Sequence, residues 1–179
     1  MPRKLNEQKF CGWCGAKVDY KSDWMSECPN CGYKHYDNPR TCCNLVISKG
    51  DDVLLLQRSI EPNKGKFDLP GGFMDIDDDS IEAATYRELK EELGLDKNKV
   101  STIQYLGSGT ETYLWQDSEL PLACFYFSCT LNVDADEVVV DQKENSQLRW
   151  ISQDDLNNTE LAWPLDKKML TKYFKEKNG

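Results

Sequence analysis

Three glutamates, Glu88, Glu91 and Glu92, sit behind Arg87 in the run Arg-Glu-Leu-Lys-Glu-Glu-Leu-Gly. On a helix turning about 100° per residue they share one arc with Ile81 and Ala84, the apolar side that should face inward. Carboxylates one turn apart repel by about 0.2–0.5 kcal/mol even in water, and partial burial adds desolvation. A hard divalent cation removes both costs, and Mg²⁺ typically binds through one or two carboxylates plus substrate phosphates. The trio therefore reads as half of a metal and phosphate site, against the plainer reading of a solvated acidic face. A second constellation is sulfur-based. Cys11-Gly-Trp-Cys14-Gly and Cys28-Pro-Asn-Cys31-Gly are two CxxC turns thirteen residues apart. Four thiolates at that spacing suit a closed tetrahedral zinc site, which has no open position and so serves structure rather than catalysis. Redox dithiols or chance pairing are the competing explanations.

The elements that must position these groups follow from local pattern. The helix is expected from about Ser80 to Leu93, ending at Gly94 in a left-handed C-cap. Asp79 and Glu82 have the spacing of a capping box. Upstream lie an acidic loop, Asp75 to Asp79, and a glycine turn at Gly71-Gly72. Thr41–Ser48 and Asp52–Gln57 read as strands about Lys49-Gly50-Asp51. Val100–Gly107, Thr110–Trp115, Leu122–Leu131 and Leu148–Ile151 read as further strands. Ser152 with Asp154 and Asp155 starts a short helical turn. Pro164 opens a last helix to about Lys175, with Leu165, Met169, Leu170, Tyr173 and Phe174 as its apolar stripe. Strands mixed with few helices predict an α+β fold, an α/β/α sandwich around a mixed sheet. A loose tail, residues 1–9, and a cysteine ribbon, residues 10–36, should form a small module within 1–38. Residues 39–179 should form the larger domain.

Composition bounds the rest. The chain has 179 residues, 39 % of them hydrophobic, and a net charge of −9. That length suits one ordinary domain plus a small module. Charges through Arg40 sum to +2, so the acidic balance belongs to the larger domain. An acidic surface argues against general nucleic-acid binding. No apolar run approaches the roughly 18 residues of a membrane span, and the N-terminus lacks a signal-peptide core, so a cytoplasmic, reducing setting is expected. Cys42, Cys43, Cys124 and Cys129 fall in strand-like runs and read as small core residues.

The helix and its glycine turn resemble the signature of the Nudix hydrolases: Gly, five residues, Glu, seven residues, then Arg-Glu-aliphatic-x-Glu-Glu-x-Gly-aliphatic. Arg87, Glu88, Leu89, Glu91, Glu92, Gly94 and Leu95 match position for position. The front half departs: with seven residues between it and Arg87 stands Asp79 instead of Glu, and Gly72 lies one residue too far upstream. A cysteine ribbon, a Tyr-Asp-Asn-Pro-Arg connector, a strand pair and then this signature is the order found in zinc-ribbon members, typified by NADH, FAD and ADP-ribose pyrophosphatases. The stretch from Arg58 through Pro70 resembles the FAD-hydrolysing branch. Leu106–Trp115 replaces the Ser-Gln-Pro-Trp-Pro-Phe-Pro segment of the NADH branch, which disfavours a nicotinamide substrate.

The resemblance implies metal-dependent hydrolysis of a pyrophosphate bond in a nucleoside diphosphate linked to another moiety, releasing a mononucleotide. It implies Glu88, Glu91 and Glu92 as ligands of Mg²⁺ or Mn²⁺, joined by the Gly71 carbonyl and a distant acid matched by Glu144. Glu91 is a third ligand or the base, Arg87 orients a carboxylate, and Asp79 stands at the remaining catalytic position. Tyr36, Arg58, Phe73 and Tyr113 are the implied substrate contacts, with Trp115 a possible partner of Tyr113 in an aromatic clamp. The plain reading of those aromatics is packing. Cys11, Cys14, Cys28 and Cys31 hold Zn²⁺, and by analogy the protein is a homodimer. Two other functions fit the same residues: a nucleotide-sensing module that has lost turnover, and a zinc-ribbon adaptor.

Overall fold

The computed structural model describes residues 3–4, 9–18, 25–36, 38–115 and 118–179. The chain divides into two compact units, one of residues 1–40 with Thr112–Leu122, the other of Thr41–Glu111 with Ala123–Gly179.

In the first unit, strand β1 (Arg3–Lys4) runs parallel to Ser118–Glu119. The two cysteine turns are the ordered heart of the rest. Gly15 N–H donates to the Cys11 carbonyl and Gly32 N–H to the Cys28 carbonyl, both at 2.9 Å. Each of these glycines has φ of +72°, the left-handed value that closes such a turn without a Cβ penalty. A short hairpin, β2 (Met25–Glu27) with β3 (Lys34–Tyr36), backs the second turn. Trp13 and Tyr33 stack at 6.4 Å, both exposed.

The second unit is built on β4 (Arg40–Lys49) and β5 (Asp52–Arg58), antiparallel and joined at Gly50. Short strands β6 (Phe67–Asp68) and β7 (Gly71–Phe73) pair with β5 and β4, and helix α1 (Ile81–Leu93) follows. The long strands β8 (Gln104–Trp115) and β9 (Ser118–Thr130) come next, then β10 (Asn145–Ile151) against β5, and helix α2 (Pro164–Asn178). In the main sheet β9 neighbours β4, β4 neighbours β5, and β5 neighbours β10. Side chains alternate across these strands. Leu45 and Ile47 of β4, Leu54 and Leu56 of β5, and Phe127 and Cys129 of β9 form one core with Leu89 and Leu93 of α1. Val46, Val53, Leu55 and Tyr126, at the alternate positions, are buried as well. Tyr126 meets α2 there, its hydroxyl donating to Asp166 at 2.7 Å. The helices thus cover opposite faces, and the α/β/α layering is as expected.

Three local expectations are corrected. Gly107 and Gly109 do not break β8 into two strands. They lie within it because α2 presses on them: a Cβ would sit 3.1 Å from Met169 Sδ at Gly107 and 2.8 Å from Leu165 Cδ1 at Gly109. Closeness of a helix, not a turn, calls for glycine there. The cap of α1 is Ser80, whose hydroxyl accepts from Ala83 N–H at 3.1 Å, so Asp79 does not cap it. In α2 the buried face holds Asp166 beside Leu165, Met169, Leu170 and Phe174, while Tyr173 is only partly buried. The four remaining cysteines are buried as anticipated, and Cys42 donates to Cys124 at 3.1 Å.

Candidate active site and thiolate centre

Helix α1 carries the acidic trio because Leu89 and Leu93 bury into the core and bring the neighbouring Glu88 and Glu92 half-inward. Glu92 is the deeper. Gly71 N–H donates to its Oε2 at 2.7 Å and Asn145 Nδ2 to its Oε1 at 3.0 Å. Burial nevertheless outweighs these donors and lifts its pKa from 4.5 to about 8. Burial raises Glu88 as well, and the charges of Glu91 and Glu144 add to the effect. Glu91 faces solvent, its side chain 59 % exposed.

Arg87 ties the set together. Its Nη1 reaches Glu88 Oε1 at 2.8 Å and Glu91 Oε2 at 2.9 Å, and its Nη2 reaches the Phe73 carbonyl at 2.8 Å and Asp78 Oδ2 at 2.9 Å. A guanidinium fork suits this task because its donors are fixed in one plane. Asp78 in turn is held below the usual carboxylate range, chiefly by its bonds to Arg87. Asp79, the position given by counting, is exposed. The loop accommodates its extra residue so that Asp78 takes the contact on Arg87. Asp78 also accepts from Asp75 N–H at 2.8 Å, which folds the acidic loop onto itself.

The glycine turn is shaped by contact. Gly71 has φ of +151°, and a Cβ there would lie 2.1 Å from the Cys43 carbonyl oxygen. At Gly72 a Cβ would lie 2.5 Å from Glu88 Oε1. Two successive residues without side chains let β7 press between β4 and the Glu88 carboxylate. Gly71 touches the trio through its N–H on Glu92.

The remaining expected residues are placed as follows. Glu144 is exposed, with its backbone carbonyl accepting from Ser59 N–H at 2.8 Å, and its charge is felt at Glu88. Arg58 is engaged away from solvent, its Nε on the Pro62 carbonyl at 2.8 Å and its Nη1 on Asp68 at 2.9 Å, beside the Trp163 ring. Phe73 is exposed next to the glycine turn. Tyr36 and Tyr113 belong to the first unit, and the side chain of Trp115 lies outside the described residues. Two buried polar residues escaped sequence reasoning. Asn145 is one, a single polar residue at a strand start with no spacing signal. Asp166 is the other, under α2 and away from the trio: fully buried, it accepts from Tyr126, its Oδ2 has no hydrogen-bond partner among the described residues, and burial pushes its pKa well up.

The four sulfurs of Cys11, Cys14, Cys28 and Cys31 lie within 4.8 Å of one another. Zinc–sulfur bonds of about 2.3 Å set a tetrahedral edge of about 3.8 Å. The measured Cys11–Cys31 and Cys14–Cys28 separations are 3.8 and 3.6 Å. N–H groups, first that of Ala16 and then the Asn30 amide, lower the Cys14 thiol to about 6. The donor set fits a tetrahedral thiolate-bound ion.

The family model of the NUDIX domain matches residues 38–173. NAD-capped RNA hydrolase NudC of Citrobacter koseri is 30 % identical over 149 residues, 83 % of this chain and 53 % of that protein. The chain thus spans about half the length of the curated relatives it matches. A solved NUDIX hydrolase from Nitrosomonas europaea superposes with a TM-score of 0.67 at 24 % identity, covering 95 % of this chain and 92 % of that one. An Ap4A hydrolase from C. elegans gives 0.59 at 26 %, covering 75 % and 94 %. With the family match extending over most of the chain, α1 and the glutamate trio included, the chain belongs to the NUDIX domain family.

Proposed function

We propose that the chain hydrolyses a pyrophosphate bond in a nucleoside diphosphate linked to another moiety, releasing a mononucleotide. The observation that carries this reading is Glu92, a carboxylate half-sunk in the protein with both oxygens held by donors and its pKa lifted to about 8. Such a group is oriented for a cation that would let it ionise. Glu88, Glu92, Glu144 and the Gly71 carbonyl would hold Mg²⁺ or Mn²⁺, and Cys11, Cys14, Cys28 and Cys31 would hold Zn²⁺. When bound, the catalytic ions neutralise phosphate charge and acidify water.

The chain's own groups supply the rest. Arg87 keeps Glu88 and Glu91 side by side, and Asp78 balances its charge. Glu91, with Oε2 held by Arg87 and much of its carboxylate facing solvent, takes the proton of the attacking water at Oε1. Phe73, exposed beside the glycine turn, provides a surface for a base or sugar. Tyr36, Tyr113 and Arg58 remain proposed contacts, Arg58 acting by holding Asp68 rather than by reaching outward.

The substrate class is a dinucleotide-type cofactor such as FAD or NADH, or ADP-ribose. Likeness to proteins named as NAD-capped RNA hydrolases keeps nicotinamide dinucleotides in this class, despite the divergent Leu106–Trp115 segment, and adds the same group carried on the end of an RNA. A strongly acidic domain disfavours binding along nucleic acid but not the recognition of one terminal diphosphate. Incubation with Mn²⁺ and FAD, NADH, ADP-ribose or a dinucleoside polyphosphate should release a mononucleotide, and Glu92→Gln should abolish the release. Ligand binding without turnover across the panel would replace this reading with a sensing role.

A further inference from the structure

We infer that Asn145 is a positioning residue of the carboxylate site, setting the plane of the Glu92 carboxylate for the ion; this rests on the proposed metal role of Glu92. Asn145, the first residue of β10, bonds to the acidic trio through its side chain. Its amide Nδ2 lies 3.0 Å from Glu92 Oε1, opposite the Gly71 N–H on Oε2, so the carboxylate is gripped at both ends. Asn145 is buried, 5 % exposed, so water does not readily take over the donor's place.

The backbone explains how it gets there. Asp141 N–H donates to the Glu92 carbonyl at 2.8 Å and Val139 N–H to the Leu93 carbonyl at 3.1 Å, so the approach to β10 is fastened to the last turn of α1. Asn145 then pairs with Arg58, and the register slips before Gln147 pairs with Gln57. That bulge at Ser146 turns Asn145 inward and leaves Glu144 exposed. The residue chosen here is an amide, which donates without adding charge. A carboxylate would add repulsion, and an aliphatic side chain would leave Oε1 without its donor.

The test reads Mn²⁺ binding on the zinc-loaded protein, by loss of the free-ion electron paramagnetic resonance signal. Asn145→Leu keeps the volume and removes the donor; Asn145→Ser leaves room for water and protects against a folding failure. Partners that orient metal-ligating carboxylates change affinity by about 10–100-fold when removed. We expect Leu to weaken Mn²⁺ by at least about tenfold and Ser by less. The Mn²⁺ concentration for half-maximal hydrolysis should rise in step, with KM for the dinucleotide unchanged at saturating Mn²⁺. Mn²⁺ affinity within about twofold of wild type in the folded Leu variant, or, should Leu not fold, in the Ser variant, overturns the inference. If the wild-type protein binds Mn²⁺ and hydrolyses nothing, the hydrolase reading fails while the positioning role is still decided by the binding data. If the wild-type protein binds no Mn²⁺, both fail.

Discussion

Replacing Glu92 by glutamine should make the metal-free protein more stable at alkaline pH while removing its response to metal. Burial lifts the Glu92 pKa from 4.5 to about 8. Each tenfold step in proton affinity corresponds to about 1.36 kcal/mol, so ionising this group in the folded, metal-free state costs about 5 kcal/mol. Because the folded pKa is the higher one, the proton stabilises the fold fully below about pH 4.5, and that contribution is lost as pH rises through about 8. Glutamine never ionises. Its amide offers one acceptor and one donor where Gly71 N–H and Asn145 Nδ2 both need acceptors, a mismatch of about 1–3 kcal/mol. The neutral wild-type acid carries the same mismatch at pH 5. In EDTA the two proteins should therefore melt together near pH 5, and the variant should melt higher at pH 9 by about 10–20 °C, taking about 2–4 °C per kcal/mol for a chain of this size. Mn²⁺ at 100 times its Kd should stabilise wild type by about 2.7 kcal/mol and the variant by little. Thermal melts by circular dichroism across pH 5–9 read all of this. A difference between the proteins that does not vary with pH, or equal stabilisation of both by Mn²⁺, would refute the reasoning.

Gly72→Ala should leave the melting temperature within a few degrees but weaken Mn²⁺ binding by at least about tenfold, because its Cβ would displace the Glu88 carboxylate. Titration calorimetry decides it. Gly71→Ala, with a Cβ 2.1 Å from the Cys43 carbonyl oxygen, should instead lower expression and melting temperature sharply. Asp78→Asn should reduce turnover about 10–100-fold by loosening Arg87, while Asp79→Asn should not; equal effects would undo the assignment of the loop acid. Stripping the thiolate centre with a strong chelator should unfold residues 10–36 and leave the amide protection of β4 and β5 intact in hydrogen exchange.

What the sequence determined by itself was whatever depends on spacing along one element. Glu88 and Glu92 share a helix face because of a fixed periodicity, Gly94 ends that helix because its φ is +62°, and two CxxC turns meet around one point because each turn is locally closed. Tertiary structure decided what depends on distances between segments far apart in the chain. Only the folded loop shows that Asp78 and not Asp79 reaches Arg87, since an inserted residue can be absorbed on either side of the acid. Gly107 and Gly109 read as strand breakers until Met169 and Leu165 are seen against them. Asn145 lies 53 positions from Glu92, and a hydrogen bond across that interval leaves no periodic trace. Asp166 carries no signal in the sequence; that it is fully buried beneath Tyr126 follows from how α2 lands on the sheet, which side-chain packing settles and local pattern does not.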